Sequence, residues 1–67
     1  MKIKYIKTKS PIFIGGKNFN DRAESSREVV LEWDDTQKGV NIMFNNSLGF
    51  IPESNLSIVV YDASKIK

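Results

Sequence analysis

The chain reads as all-β: a small barrel of five short antiparallel strands, with one proline-led turn before the last strand. Three observations carry that expectation. Apolar and polar side chains alternate over Lys2–Tyr5, Glu28–Trp33 and Val40–Phe44, the period of a half-buried strand, and no stretch has convincing helical spacing. Turn formers punctuate these runs at short intervals: Gly15-Gly16, Asp34-Asp35, Gly39 and Asn45-Asn46. The ending Gly49-Phe50-Ile51-Pro52-Glu53-Ser54-Asn55-Leu56 reads as strand, one helical winding, strand, because Pro52 holds Ile51 extended and supplies no backbone donor. A length of 67 residues leaves room for one domain, 1–67. Closure into a barrel would remove the sheet edges that so small a fold tolerates poorly.

Taken in order, Lys2-Ile3-Lys4-Tyr5 places Ile3 and Tyr5 inward, and Ile6 breaks the alternation, so a bulge or strand end is expected near Lys7. Thr8-Lys9-Ser10-Pro11 reads as a turn, and Ile12-Phe13-Ile14 as a brief apolar strand closed by Gly15-Gly16. Residues 15–27 show no period of two and have Phe19 as their one large apolar side chain, which predicts a long loop, with a helical turn capped by Asn20 or Asp21 as the alternative. Val29, Leu31 and Trp33 share one face of the next strand; Glu28, Val30 and Glu32 share the other. After the polar turn Asp34–Gly39, Val40, Ile42 and Phe44 line one face, with Asn41 and Met43 opposite. Asn45-Asn46 suits a tight hairpin, Leu48–Ile51 is a further strand, and Leu56–Tyr61 is the last. That last run is apolar on both faces and is expected to be central or covered; 63–67 is expected to fray.

Composition narrows the chemistry. There is no Cys, and His is absent, which removes a disulfide framework, a zinc ribbon, a thiol nucleophile and the commonest general base together; no cofactor and no catalysis are expected. Stability is left to one packed apolar core, with self-association as a further aid. No apolar core follows the basic start (Lys2, Lys4) and no run approaches a membrane span, so a cytoplasmic location without membrane contact is expected. The glycosylation-like triplets at Asn45 and Asn55 read as turns in that setting.

The net charge of +2 hides an asymmetry: residues 1–27 carry seven basic and two acidic side chains, net +5, and residues 28–67 three basic and six acidic, net −3. Such a split steers partners of opposite sign to different faces. The richness in Lys, Asn and Ile with only two Arg looks like translation from an AT-rich genome, which weakens the basic half as a binding signal.

The segment Gly49-Phe50-Ile51-Pro52, with Leu56 entering the last strand, resembles the closing motif of Src-homology-3 domains, where Gly, an apolar residue, an aliphatic residue and Pro lead into a one-turn 3₁₀ helix and the final strand. The upstream order of strands and loops is similar over the whole chain; the sequence likeness is confined to about eight residues. The resemblance implies a five-stranded barrel. It does not extend to the family's proline-rich-peptide groove. The places of its Trp and Tyr are held here by Gly39 or Val40 and by Ser54 or Asn55, and Trp33 precedes the loop that its counterpart would follow.

The functional expectation is a non-catalytic protein-binding module, of the kind a phage or mobile element uses to dock on a host protein, monomeric or weakly dimeric. Contact is expected from the 15–27 loop through Phe19 and Arg22 and from the 34–38 loop through Asp34, Asp35 and Lys38. Nucleic acid is the alternative partner, held by Lys2, Lys4, Lys7, Lys9 and Lys17 with Tyr5, Phe13 and Phe19 as stacking surfaces. Three weaker features have plainer readings. Asp34 and Asp35, with Glu32, could hold a hard cation but read as a solvated turn. Gly15-Gly16-Lys17 could cradle a phosphate but lacks the full Gly-rich motif. Trp33, in phase with Val29 and Leu31, reads as core rather than anchor. On that reading Val30 and Met43 form an exposed apolar strip, suited to a protein interface or a dimer seam.

Overall fold

The computed structural model describes residues 2–62. Six strands succeed one another: β1 (Lys2–Ile14), β2 (Lys17–Glu24), β3 (Val29–Asp34), β4 (Gly39–Phe44), β5 (Ser47–Pro52) and β6 (Leu56–Asp62), with a 3₁₀ turn at Glu53–Asn55 between the last two. They form two antiparallel three-stranded sheets, sheet A in the order β2-β1-β6 and sheet B in the order β3-β4-β5. The all-β class is therefore observed. The expected five strands in a closed barrel are replaced by six strands in two sheets whose ladders do not join. The fraying expected for 63–67 lies outside the described residues. Among the described residues no helix is long and apolar enough to cross a membrane.

One core lies between the sheets. Ile3, Ile6, Ile12, Phe19 and Ala23 enter it from sheet A, and Val29, Leu31, Val40, Ile42 and Ile51 from sheet B. Each large aliphatic side chain so buried contributes about 1.5–3 kcal/mol. Ile14, Trp33, Phe44, Leu56 and Val59 pack around it half-buried, which gives Trp33 the core-side place that its phase predicts. The buried Thr8 hydroxyl is satisfied locally, Oγ1 donating to the Ser10 carbonyl at 2.6 Å.

The largest correction concerns residues 15–27. Gly15 and Gly16 both take positive φ (58° and 82°), the geometry of a two-residue hairpin turn, and Ile14 pairs with Lys17 directly across it. Beyond this turn Lys17–Glu24 is strand, where a loop was expected. Phe19 and Ala23 point inward while Asp21 between them is exposed, because the ladder to β1 parts there: Arg22 pairs with Lys7 but Asn20 pairs with Ile12. No helical turn begins at Asn20 or Asp21; Asn20 is a single left-handed residue (φ 60°) whose N–H donates to Asn18 Oδ1 at 2.8 Å.

The same parting explains Thr8–Pro11. The expected turn is an arch within one long strand: these four residues leave the β2 ladder, and Pro11, which has no N–H to offer, sits where none is called for. Ser10 N–H is caught instead by Asn55 Oδ1 at 2.9 Å. Nearer the start, a register shift between Ile3 and Tyr5 makes Lys4 the extra residue, so the inward pair is Ile3 and Ile6 rather than Ile3 and Tyr5.

The proline-led corner forms as expected. Pro52 is extended (φ −68°, ψ 153°), Leu56 N–H donates to the Glu53 carbonyl, and Glu53 N–H donates to the Lys38 carbonyl at 3.1 Å, tying the corner to the β3–β4 turn. The strand after it differs from expectation. β6 is not central; among the described residues it pairs with β1 alone and forms an edge of sheet A.

Candidate functional site

The outer face of sheet B owes its layout to one turn. Asn45 and Asn46 both adopt positive φ (53° and 64°), giving a two-residue hairpin that sets Phe44 opposite Ser47. From there the register is unbroken, and Met43 falls opposite Leu48 and Asn41 opposite Phe50. On the other side of β4 the ladder is equally regular, with Met43 opposite Val30 and Asn41 opposite Glu32. Since alternate residues share a face, Val30, Met43 and Leu48 form a continuous row across all three strands. They are 43%, 46% and 72% exposed. Phe50 extends the apolar surface by laying its ring over Gly39, where an added Cβ would come within 2.5 Å of Phe50 Cζ.

Charge frames this row on one side. Glu28 and Glu32 flank Val30 along the β3 edge, and Arg27, Glu28, Val30, Met43 and Asn45 line a shallow depression at one end. Leu48, the most exposed member, was not among the sequence candidates. A two-residue Asn-Asn turn following an outward Met43 implies it, since the pairing counts outward from the turn.

The sequence-predicted residues behave otherwise. Phe19 is 9% exposed and belongs to the core, its ring edge-on to Phe44 at 5.4 Å, so the expectation of a loop side chain offered to a partner is corrected. Lys17 reaches over both rings, Nζ 5.0 Å from the Phe19 centroid and 5.7 Å from that of Phe44, a cation–π arrangement that engages this lysine structurally. Arg22 lies on β2, stacked 4.1 Å over the Tyr5 ring and 3.4 Å from Glu24 Oε1.

Asp34, Asp35 and Lys38 do share the β3–β4 turn, where Asp34 is held by donors of the turn and of β4 and the exposed Asp35 and Lys38 pair with each other. Asp34 Oδ1 accepts the Thr36 and Gln37 backbone N–H groups, both at 3.0 Å; its Oδ2 accepts Gln37 Nε2 and Asn41 Nδ2, both also at 3.0 Å. These donors, the Gln37 backbone first and Asn41 next, hold the carboxyl below its ordinary range. Asp35 pairs with Lys38 at 3.2 Å, and Lys38 takes φ 60°. Among the described residues no three acidic side chains gather as a cation site. Gly15-Gly16 is the hairpin turn itself, with the Gly15 carbonyl accepting Asn45 Nδ2 at 3.3 Å.

The remaining lysines do not form one patch by register. Lys2 pairs across from Asp62, Lys4 sits at the bulge, Lys9 lies on the arch, and Lys7 stands opposite Arg22. Phe13 is exposed near the hairpin tip, opposite Asn18, whereas Tyr5 is half-buried under Arg22. Compared with known protein families, curated proteins and solved structures, the chain matches none.

Proposed function

We propose that the chain is a non-catalytic protein-binding module that docks its partner on the outer face of sheet B. The observation that carries this reading is the row Val30–Met43–Leu48, solvent-exposed and held in line by two unbroken ladders, with Phe50 beside it. Flanking carboxylates at Glu28 and Glu32 fit a partner segment that combines apolar side chains with Lys or Arg at its margin. For the fold, the Src-homology-3-like reading is supported by the 3₁₀ corner between β5 and β6 and by the return of β6 onto β1, with the β1–β2 hairpin in the place of the family's long first loop.

The test is selection from a random-peptide library on the intact protein. Enriched peptides are expected to pair aliphatic or aromatic residues with basic ones, and to lose at least about thirtyfold in affinity on Met43→Asp, the loss of a central anchor. No enrichment, or peptides that bind M43D as tightly as the parent, would reject the face. Nucleic acid is the second reading, favoured by one observation: Lys7 stands opposite Arg22 in the ladder on the exposed face of sheet A, two cations in register although Arg22 also leans on Tyr5 and Glu24. Retention of random DNA or RNA that falls steeply between about 50 and 200 mM salt would support it.

A further inference from the structure

We infer that β6 is a self-association edge, pairing antiparallel with β6 of a second copy to join two sheets A into one six-stranded sheet. Four edge strands bound the two sheets, and three of them are blunted. β2 carries Lys17, Asp21, Arg22 and Glu24 and is broken by the left-handed Asn20; β5 contains Gly49 and ends in Pro52; β3 carries Glu32 and Asp34, and Lys2 and Ile3 stand beside it across a groove. β6 has only a register slip at Ser57 and a terminal Asp62. From Ile58 through Val59 and Val60 to Tyr61 it runs without charge, Gly, Pro or irregularity, in residues that all favour strands. Ile58 and Tyr61 are exposed although apolar or aromatic. Among the described residues this strand pairs with β1 only.

The register determines the occupant. Antiparallel pairing about a two-fold axis normal to the sheet requires paired residues to share a face; of the registers that do so, the one centred on Val59 sets Ile58 against Val60 of the second copy, whereas centring on Val60 would set Ile58 against the charged Asp62. On the outer face, Ile58 has Lys7 and then Arg22 behind it, while Val60 has Tyr5 and then Glu24. That register lays Ile58 against Val60 of the second copy, with Tyr5 one strand further on, and leaves the charged residues Arg22 and Glu24 at the far margins of the joined sheet, away from the seam. On the inner face, Val59, Ile6 and Ala23 continue into the same three residues of the second copy, extending the apolar layer. An edge that suits its own copy in this way closes as a dimer and leaves no further edge of the same kind for growth.

Sedimentation equilibrium over a concentration series tests this directly. The mass is expected to rise to twice that of the monomer and stop. Ile58→Lys and Val60→Glu each alter an outer-face side chain and are each expected to weaken dimerisation at least about tenfold. Mixed in equal amounts, the two variants are expected to regain association, because the introduced lysine of one faces the introduced glutamate of the other. Circular dichroism on each variant establishes that it is folded. A parent that stays monomeric at every concentration overturns the proposal and leaves the edge to a foreign strand. Unchanged association in both folded variants, or variants that fail to associate on mixing, overturns it too. If both variants unfold, amide exchange on the parent decides. Protection of Ile58–Tyr61 that rises with concentration supports the edge, and protection independent of concentration rejects it. None of these readouts uses the sheet B face, so the two proposals stand or fall separately.

Discussion

Sheets A and B are equal in strand number and opposite in construction. Sheet B is regular: both of its ladders run from end to end without a slip, so every second residue of three strands lands in a straight row. Sheet A is irregular, with breaks in both ladders, at Lys4, through the Thr8–Pro11 arch, at Phe19 and at Ser57. The outer faces differ accordingly. Sheet A presents charge that is largely answered in place, Arg22 by Tyr5 and Glu24. Sheet B presents an apolar row whose neighbours are two carboxylates and an arginine. Regularity makes a flat recognition surface. Irregularity bends a long strand so that one element serves two neighbours and still fills the core.

The strongest way to break this arrangement is at β2 of sheet A. Phe19 joins the sheets by packing against Phe44, so Phe19→Ala is expected to cost about 3–5 kcal/mol. A domain of this size, without disulfides, rarely has more than about 3–5 kcal/mol to lose. The variant is therefore expected to be largely unfolded at room temperature by circular dichroism. A folded F19A protein with near-parent melting would return Phe19 to the surface and restore it as a contact residue.

How much of this was legible in the residues divides along the same line. Sheet B could be read almost entirely, because Val29–Trp33 and Val40–Phe44 alternate cleanly and Asn45-Asn46 specifies its own hairpin. The exposed strip at Val30 and Met43 was legible too, and Leu48 was one counting step away. Sheet A was not. Ile3 and Ile6 stand three apart because Lys4 bulges, and a bulge leaves no mark in the sequence beyond a broken alternation. The strand around Phe19 and Ala23 was masked by Asp21, which occupies the inward phase at the one place where the ladder opens to solvent. β6 misled in another way. A run apolar on both faces resembles a central strand, and only tertiary placement reveals an edge.

Sheet B can be broken more gently at Gly39. The residue is buried, and an added Cβ would press on the Ile51 carbonyl oxygen and into the Phe50 ring. Gly39→Ala is expected to cost about 1–3 kcal/mol, read by urea denaturation, and to displace Phe50 from the binding face. An unchanged midpoint would mean that β5 has freedom to move away. Sheet A can be improved by a smaller margin. Lys7 stands opposite Arg22 in the ladder, and Lys7→Glu replaces a cross-strand cation by a carboxylate, with an expected gain of about 0.2–1 kcal/mol that shrinks as salt is added. The same variant lowers retention of nucleic acid if the basic face binds it, and leaves peptide binding at sheet B unaffected.

The smallest effect expected is at the turn that begins sheet B's register. Asp34 caps that turn with its charge: four N–H groups point at its two oxygens, and its carboxyl is held below the ordinary value near 3.9. A folded state that favours the ionised form more than the unfolded chain does is stabilised above that ordinary value. The stabilisation is lost as the pH drops through the lower folded value, because the unfolded chain takes up the proton first. Asp34→Asn removes the charge and keeps one acceptor oxygen, so two of the four donors lose their acceptor to an NH2 group. The parent is expected to melt higher than D34N from about pH 7 down to about pH 5, with the gap narrowing below about pH 4. Asp34 is only half-buried, on a turn that solvent reaches, which keeps the gap small at every pH. A gap that persists unchanged at about pH 3 would assign the turn's stability to the shape of the side chain and not to its charge.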